Sequence, residues 1–323
     1  MYRIDDATAA TSLPAPEAAG PEGYFTEGNP ATGTPATKVR GSWMNMIQEE
    51  LCAILAAAGI ARSKTSYNQV NAALQKMYGG VIGSVRNGRM YVAAASATAT
   101  YTADEVIVET SLGAQPFRVA SINQTINLAG ANGIGGMDTG SAPVNGYVAL
   151  YEMFNPTTGA KGLMGWNATS SVAPSIYSGS IAPAGYIASA LLTVVPTNGS
   201  GQFAPVLVRD RNVSFSLKTA LSSNTVQSTL VPLSISSIVP PNAVAISGEL
   251  GLASTSSSTA AITVAGDGAN SIGQQNITST VTATGYISNF GGLSLVTAQT
   301  IYWGSANTAG TPTFSIYISS YAI

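Results

Sequence analysis

Residues 42–58, Ser-Trp-Met-Asn-Met-Ile-Gln-Glu-Glu-Leu-Cys-Ala-Ile-Leu-Ala-Ala-Ala, carry the strongest helix signal in this 323-residue chain and divide it into two kinds of sequence. Before them the chain is broken by Pro14, Pro16, Pro21, Pro30 and Pro35, which leaves no room for a long helix or a central strand. Within them Met44, Ile47, Leu51, Ile54 and Ala58 recur at spacings of three and four, an apolar stripe along one face of a helix. Ser42 is the expected N-cap and Gly59 the left-handed stop. The same stripe fits a coiled-coil seam between copies of the chain, although it is only two heptads long.

A second, shorter helix is expected over 67–78, capped by Ser66, ended by Gly79-Gly80, and striped by Tyr67, Val70, Leu74 and Met77. Two short helices joined by a short polar link predict a helical hairpin over 42–90. A DNA-reading helix-turn-helix is disfavoured, because the second helix offers only Lys76 as a base.

From about Tyr91 the apolar period changes to two. Candidate strands are 105–109, 117–128, 147–154, 161–166, 186–195, 203–208 and 213–217. Asn155-Pro156-Thr157-Thr158-Gly159 gives a hairpin turn between 147–154 and 161–166. Beyond Lys218 the candidates are 229–239, 244–252, 261–265, 277–283 and 293–296. A last hairpin pairs 300–303 with 314–321. In that final strand Phe314, Ile316, Ile318 and Ser320 face one way, and Ser315, Tyr317, Ser319 and Tyr321 the other. The expected fold is mainly β: an extended arm over 1–41, the helical hairpin, then two antiparallel sandwich-like units over 91–218 and 219–323.

Several chemistries are excluded by what the chain lacks. It has no histidine, which removes the Ser-His-Asp and Cys-His arrangements and the usual imidazole base. Its one cysteine, Cys52, allows neither a disulfide within the chain nor a cysteine zinc site, and reads as a small buried hydrophobe. Gly266-Asp267-Gly268-Ala269-Asn270 lacks the spaced carboxylates of a calcium loop, and Gly133-Ile134-Gly135-Gly136 lacks the spacing of a phosphate loop. No catalytic residue, cofactor or metal is expected. A net charge of −2 without a basic cluster argues against nucleic acid. The apolar run at 51–61 is too short to span a bilayer and the N-terminus has no signal-peptide pattern, so synthesis in a cytoplasm without membrane insertion is expected.

Charged residues are only 9% of the chain against 45% hydrophobic, and no Lys or Arg follows Lys218. Such a chain has reason to bury surface between copies or to solvate itself with Ser, Thr and Asn. In this region without Lys or Arg the aromatic residues Tyr286, Phe290, Tyr302 and Trp303, mostly rings with polar handles, are the candidate receptor-binding residues. In the arm, Tyr24 and Phe25 are candidate docking anchors.

Three blocks of sequence resemble a known family. The first comprises Met1-Tyr2-Arg3-Ile4-Asp5-Asp6, Gly23-Tyr24-Phe25-Thr26-Glu27-Gly28-Asn29-Pro30 and the stretch from Val39 through Ser42-Trp43-Met44-Asn45-Met46 to Leu51, continued by Tyr67-Asn68-Gln69-Val70. It resembles the N-terminal signature of tail fibre proteins from tailed phages and prophages. Residues 137–151 and 183–203 resemble the β region of the same proteins. The resemblance implies a virion protein in the tail, generally a homotrimer, attached to tail or baseplate proteins by its N-terminal part. Its C-terminal part would bind a glycan or pilus on the host surface. On that reading Met44, Ile47, Leu51, Ile54 and Ala58 form the oligomer seam. The alternatives are a purely structural tail-tip or collar component and a polysaccharide depolymerase. The second would need convergent carboxylates that the sequence does not display.

Overall fold

The computed structural model describes residues 2–179, 181–282 and 284–323, in two compact units, Met1–Gly79 and Gly80–Ile323. In the first unit α1 (Gly41–Ala57) and α2 (Gln69–Tyr78) form the expected helical hairpin. Their inner faces differ in detail from the apolar stripes. Leu55, Ala58 and Ala73 are buried at the contact, with Ile54, Ile60, Val70 and Met77 packed around them, whereas Met44, Leu74 and Tyr67 are exposed. Cys52 is a buried member of α1. Ser42 is not the N-cap: Arg40 holds that position, without a side-chain cap. Ser66 caps nothing either, since its hydroxyl donates to Asn68 Oδ1 at 3.0 Å. Buried Gln69 fastens the link between the helices, donating to Ala61 O at 2.6 Å and accepting from Ser63 N at 3.0 Å.

The second unit is built from short antiparallel strands. Its first half holds β1 (Val85–Arg86), β2 (Arg89–Val92), β3 (Thr98–Glu109), β4 (Pro116–Asn127), β5 (Tyr147–Phe154), β6 (Lys161–Asn167), β7 (Ala188–Pro196), β8 (Val206–Arg209) and β9 (Asn212–Ser223). The rest are β10 (Val231–Ser234), β11 (Ala245–Ser254), β12 (Ser258–Ala265), β13 (Gln275–Val281), β14 (Tyr286–Ser294), β15 (Thr300–Asn307) and β16 (Pro312–Ala322). Of the strand expected at 277–283, Ala283 lies outside the described residues. Twelve strands form one sheet along the path β14-β11-β16-β9-β8-β2-β3-β7-β5-β6, with β1 and β4 also on β3, and four form a second in the order β10-β15-β12-β13.

The hairpin of β5 and β6 forms as its turn residues require. Asn155 Oδ1 accepts from the N–H groups of Thr157 and Thr158 at 3.0 and 3.2 Å, and Gly159 takes a left-handed φ of 72°. β5 and β7 are buried on both faces, which is why they read as continuous apolar runs. One face joins the main core. The other is covered by the segment that carries Ala168, Ala173 and Tyr177.

Two expectations about the C-terminal half are corrected. Lys218, where the sequence suggests a junction between two β units, lies within β9 opposite Ile318 of β16. A single core runs from Met90 to Tyr321, because β9 pairs with β8 and, along its whole length, with β16. The last two strands also do not pair with each other. β15 joins β10 and β12 in the small sheet, while β16 lies between β11 and β9 in the large one. The two sheets face each other as a sandwich, Ile262, Val264, Ile301 and Trp303 of the small sheet meeting Leu250, Phe290, Phe314 and Ile316 of the large one in the same core.

Tyr321 is likewise on the core side and not the outer face. A bulge at Ser319, which has no partner on either β9 or β11, breaks the simple alternation of β16 between Ile318 and Ser320. Its buried hydroxyl donates to Val194 O on β7 at 2.7 Å. Tyr321→Phe strands that interior carbonyl and is expected to cost about 1–3 kcal/mol, read from the urea midpoint of the purified protein.

Candidate functional site

The first unit presents the more assembled surface. The arm lies along α1 and is fastened by charge. Arg3 grips Glu49 through Nε and Nη2 at 2.6 and 2.5 Å, Ile4 N donates to Gln48 Oε1 at 2.7 Å, and Lys64 Nζ meets Asp5 Oδ2 at 2.6 Å. These contacts hold the Glu49 and Asp5 carboxyls below their ordinary range and raise Arg3 and Lys64. Further along, Arg40 pairs with Glu17 at 3.3 Å.

Residues 26–37 close on themselves as a tight loop. Thr37 N donates to Thr26 O at 2.9 Å, while Asn29 and Thr34 exchange backbone bonds at 2.8 and 3.0 Å around a 3-10 turn, Pro30–Thr32. Gly28 is required there. Its φ is 72°, and a Cβ would stand 2.4 Å from Thr34 O. This loop sets Phe25 edge-on against Trp43 of α1, ring centroids 4.8 Å apart. Tyr24, next to it, is 98% exposed. An open groove of about 840 Å³ runs beside the pair, with Pro14, Pro16, Phe25, Trp43 and Met46 in its lining. Both proposed docking anchors thus stand on one aromatic patch. Trp43 and Glu49, the latter held by Arg3, also line that groove and are not among the docking residues expected from the sequence. The alternation of Arg3 and Asp5 against Glu49 and Lys64 was the available signal.

The proposed seam divides. Ala58 is buried in the helical hairpin and Ile54 packs against it, so both serve the protomer's own core. Ile47 and Leu51 are half-buried and Met44 is exposed.

The four candidate receptor-binding aromatics do not form one surface. Phe290 and Trp303 are only 4% and 5% exposed and belong to the core of the sandwich, which corrects their assignment as contact residues. They sit inside because strand alternation turns them toward the opposing sheet. Phe290 lies opposite Gly248, and Trp303 opposite Val231 and Val264. Tyr302, next to Trp303, faces the other way and is half-buried, its ring over Gly268, where a Cβ would lie 2.7 Å from Cδ1. Tyr286 is exposed at the start of β14, on the edge of the large sheet.

The Asp267 carboxylate is occupied by its own loop, accepting from the N–H groups of Asn270 and Ile272, which hold it below its ordinary range. Among the described residues no group of three His, Cys, Asp or Glu is placed to hold a metal ion, and no helix is long and apolar enough to cross a membrane.

No family model matches the chain. The chain is 42% identical over 77 residues to the Uncharacterized protein StfP of Escherichia coli (strain K12). The match covers 24% of this chain and 35% of that protein, so it spans about a third of the relative's length. A solved structure, that of infectious bursal disease virus Gx strain, aligns over 76% of this chain and 69% of its own at 11% identity. The TM-score of 0.19 is too low for that alignment to carry an argument.

Proposed function

We propose that this chain is a tail fibre subunit of a tailed phage or prophage that works by binding and without catalysis. Its first unit docks on tail or baseplate proteins. Its β unit meets a glycan or pilus on the host surface, and the subunits assemble as a homotrimer in the virion tail. The observation that carries the reading is the aromatic patch of Tyr24, Phe25 and Trp43, which stands on the stretches that resemble the family's N-terminal signature. Rigid, exposed aromatic rings on an anchored loop supply contact area at small cost in conformational entropy, which is what a docking surface needs. The exposed Met44 and half-buried Ile47 and Leu51 remain for contacts between copies.

Two tests separate the parts of this reading. Deleting residues 1–40, or replacing both Tyr24 and Phe25 by alanine, is expected to remove the protein from purified virions on an immunoblot. Unchanged incorporation sinks the docking role. A Gly80–Ile323 fragment, which keeps β9 whole, is expected to bind host cells and compete with virus for adsorption. A folded fragment that does neither leaves a purely structural tail component. Light scattering of the full chain should return about three times 32.7 kDa, and the single-chain mass refutes the trimer.

A further inference from the structure

Glu152 is fully buried in β5 between β6 and β7, and neither of its carboxyl oxygens has a hydrogen-bond partner. Its cross-strand neighbours, Leu163 and Ala190, both belong to the main core. Two residues earlier Leu150, in the same core, lies opposite Thr193, so Glu152 and Thr193 enter one face of the sheet. The Thr193 hydroxyl is also without a partner, as is the buried Tyr101 hydroxyl of β3, which lies close enough to Glu152 to feel its charge. Among the described residues every buried side-chain polar atom without a partner therefore belongs to this one interior region.

The charged groups around this region are committed to other contacts. Lys161 of β6 donates to the carbonyls of Ala120 and Ser121 at 2.5 and 3.0 Å. Arg211, near Tyr101, donates to Ile323 O at 2.9 Å and Leu191 O at 3.3 Å. Asp210 accepts from Gly88 N at 2.7 Å. An unpaired carboxylate in such surroundings loses its hydration and gains nothing in return. Desolvation accordingly pushes the Glu152 carboxyl up to about 8, and Lys161 opposes that only in part.

We propose that Glu152 is a buried proton switch of the β unit, carried as the neutral acid while β5 is packed between β6 and β7 and forcing that packing open when its proton leaves. An acid raised on folding contributes its full stability below its unfolded value, 4.5, and loses that contribution as the pH climbs through about 8. Across that window one proton separates the folded and unfolded states, so each pH unit weakens folding by about tenfold. β6 is the element that opening would displace, being the last strand on its side of the sheet, with its outer edge held only by the bonds of Gly135 N to Leu163 O, Gly165 N to Gly136 O and Asp138 N to Gly165 O at 2.7–2.9 Å.

The test compares the full chain with Glu152→Gln, which keeps the shape and has no proton to lose. Urea unfolding from pH 5 to pH 9 should show the wild-type folding constant falling by about tenfold per unit relative to the variant and levelling off above pH 8. Parallel profiles overturn the proposal. Should the variant fail to fold, infrared spectroscopy of the wild type decides alone. A protonated carboxyl band that persists at pH 7 and disappears by pH 9 supports the switch, and its absence at pH 7 refutes it.

Discussion

Gly248→Ala is expected to destabilise the β unit by about 3 kcal/mol or more, which would place it among the most damaging single methyl additions this chain can receive. A Cβ at Gly248 would lie 1.9 Å from Tyr317 O, 2.8 Å from Tyr317 C and 2.9 Å from Ile318 Cα. All three are backbone atoms of β16, so no side chain can swing aside to make room. The position is also where β11 shifts register against both neighbours, between Ser247 and Gly248 on β16 and between Ile246 and Gly248 on β14. A methyl group there must push apart the strands that carry Leu250, Leu252, Ile316 and Ile318 into the core. Gly251→Ala on the same strand is the control. Its nearest neighbour would be Ser315 Cβ at 3.4 Å, an ordinary contact, and removing a strand glycine offsets any small strain, so the change should stay within about 1 kcal/mol. Urea midpoints of the two variants measure the difference. Equal midpoints would mean that β11 and β16 are not packed through this bulge.

Those register shifts also explain where the sequence was silent. Elements with a strong local period were legible: the helical hairpin, the turn at Asn155 to Gly159, and the doubly buried β5 and β7. Partnership between strands was not, because pairing is decided by side chains far apart in the chain. β15 and β16 are separated by a short glycine-containing loop and look like a hairpin, yet each completes a different sheet. The orientation of Tyr321 could not be read from alternation, since the single bulge at Ser319 reverses the faces beyond it. Glu152 was invisible for a related reason. A single acid in an apolar strand reads as an outward-facing residue until the strand is known to be covered on both sides. In the first unit the exposure of Tyr24 and Phe25 was legible from their place in a proline-rich arm. The Arg3–Glu49 clasp, a contact across 46 residues, was not.

Trp303→Ala should cost about 3–5 kcal/mol, the ordinary consequence of emptying a large buried site. Trp303 is 5% exposed and closes the space between the two sheets, flanked by Val231 of β10 and Val264 of β12. Its position beside a glycine-containing segment gives it the sequence character of a binding residue, and loss of host attachment in the variant would look like confirmation of that role. The two explanations part company in how binding and folding vary together. On the proposed host-binding role, an indole that supports the sandwich makes host-cell binding by Trp303→Ala fall in proportion to the unfolded fraction seen in its thermal melt. Trp303→Phe, which refills most of the volume, then restores both. Tyr286→Ala supplies the contrast, because an exposed edge-strand ring contributes within about 0.5 kcal/mol to stability, and any binding lost there is lost by contact. A Trp303→Ala protein that melts like the wild type and no longer binds would return the residue to the surface and remove it from the core of the sandwich.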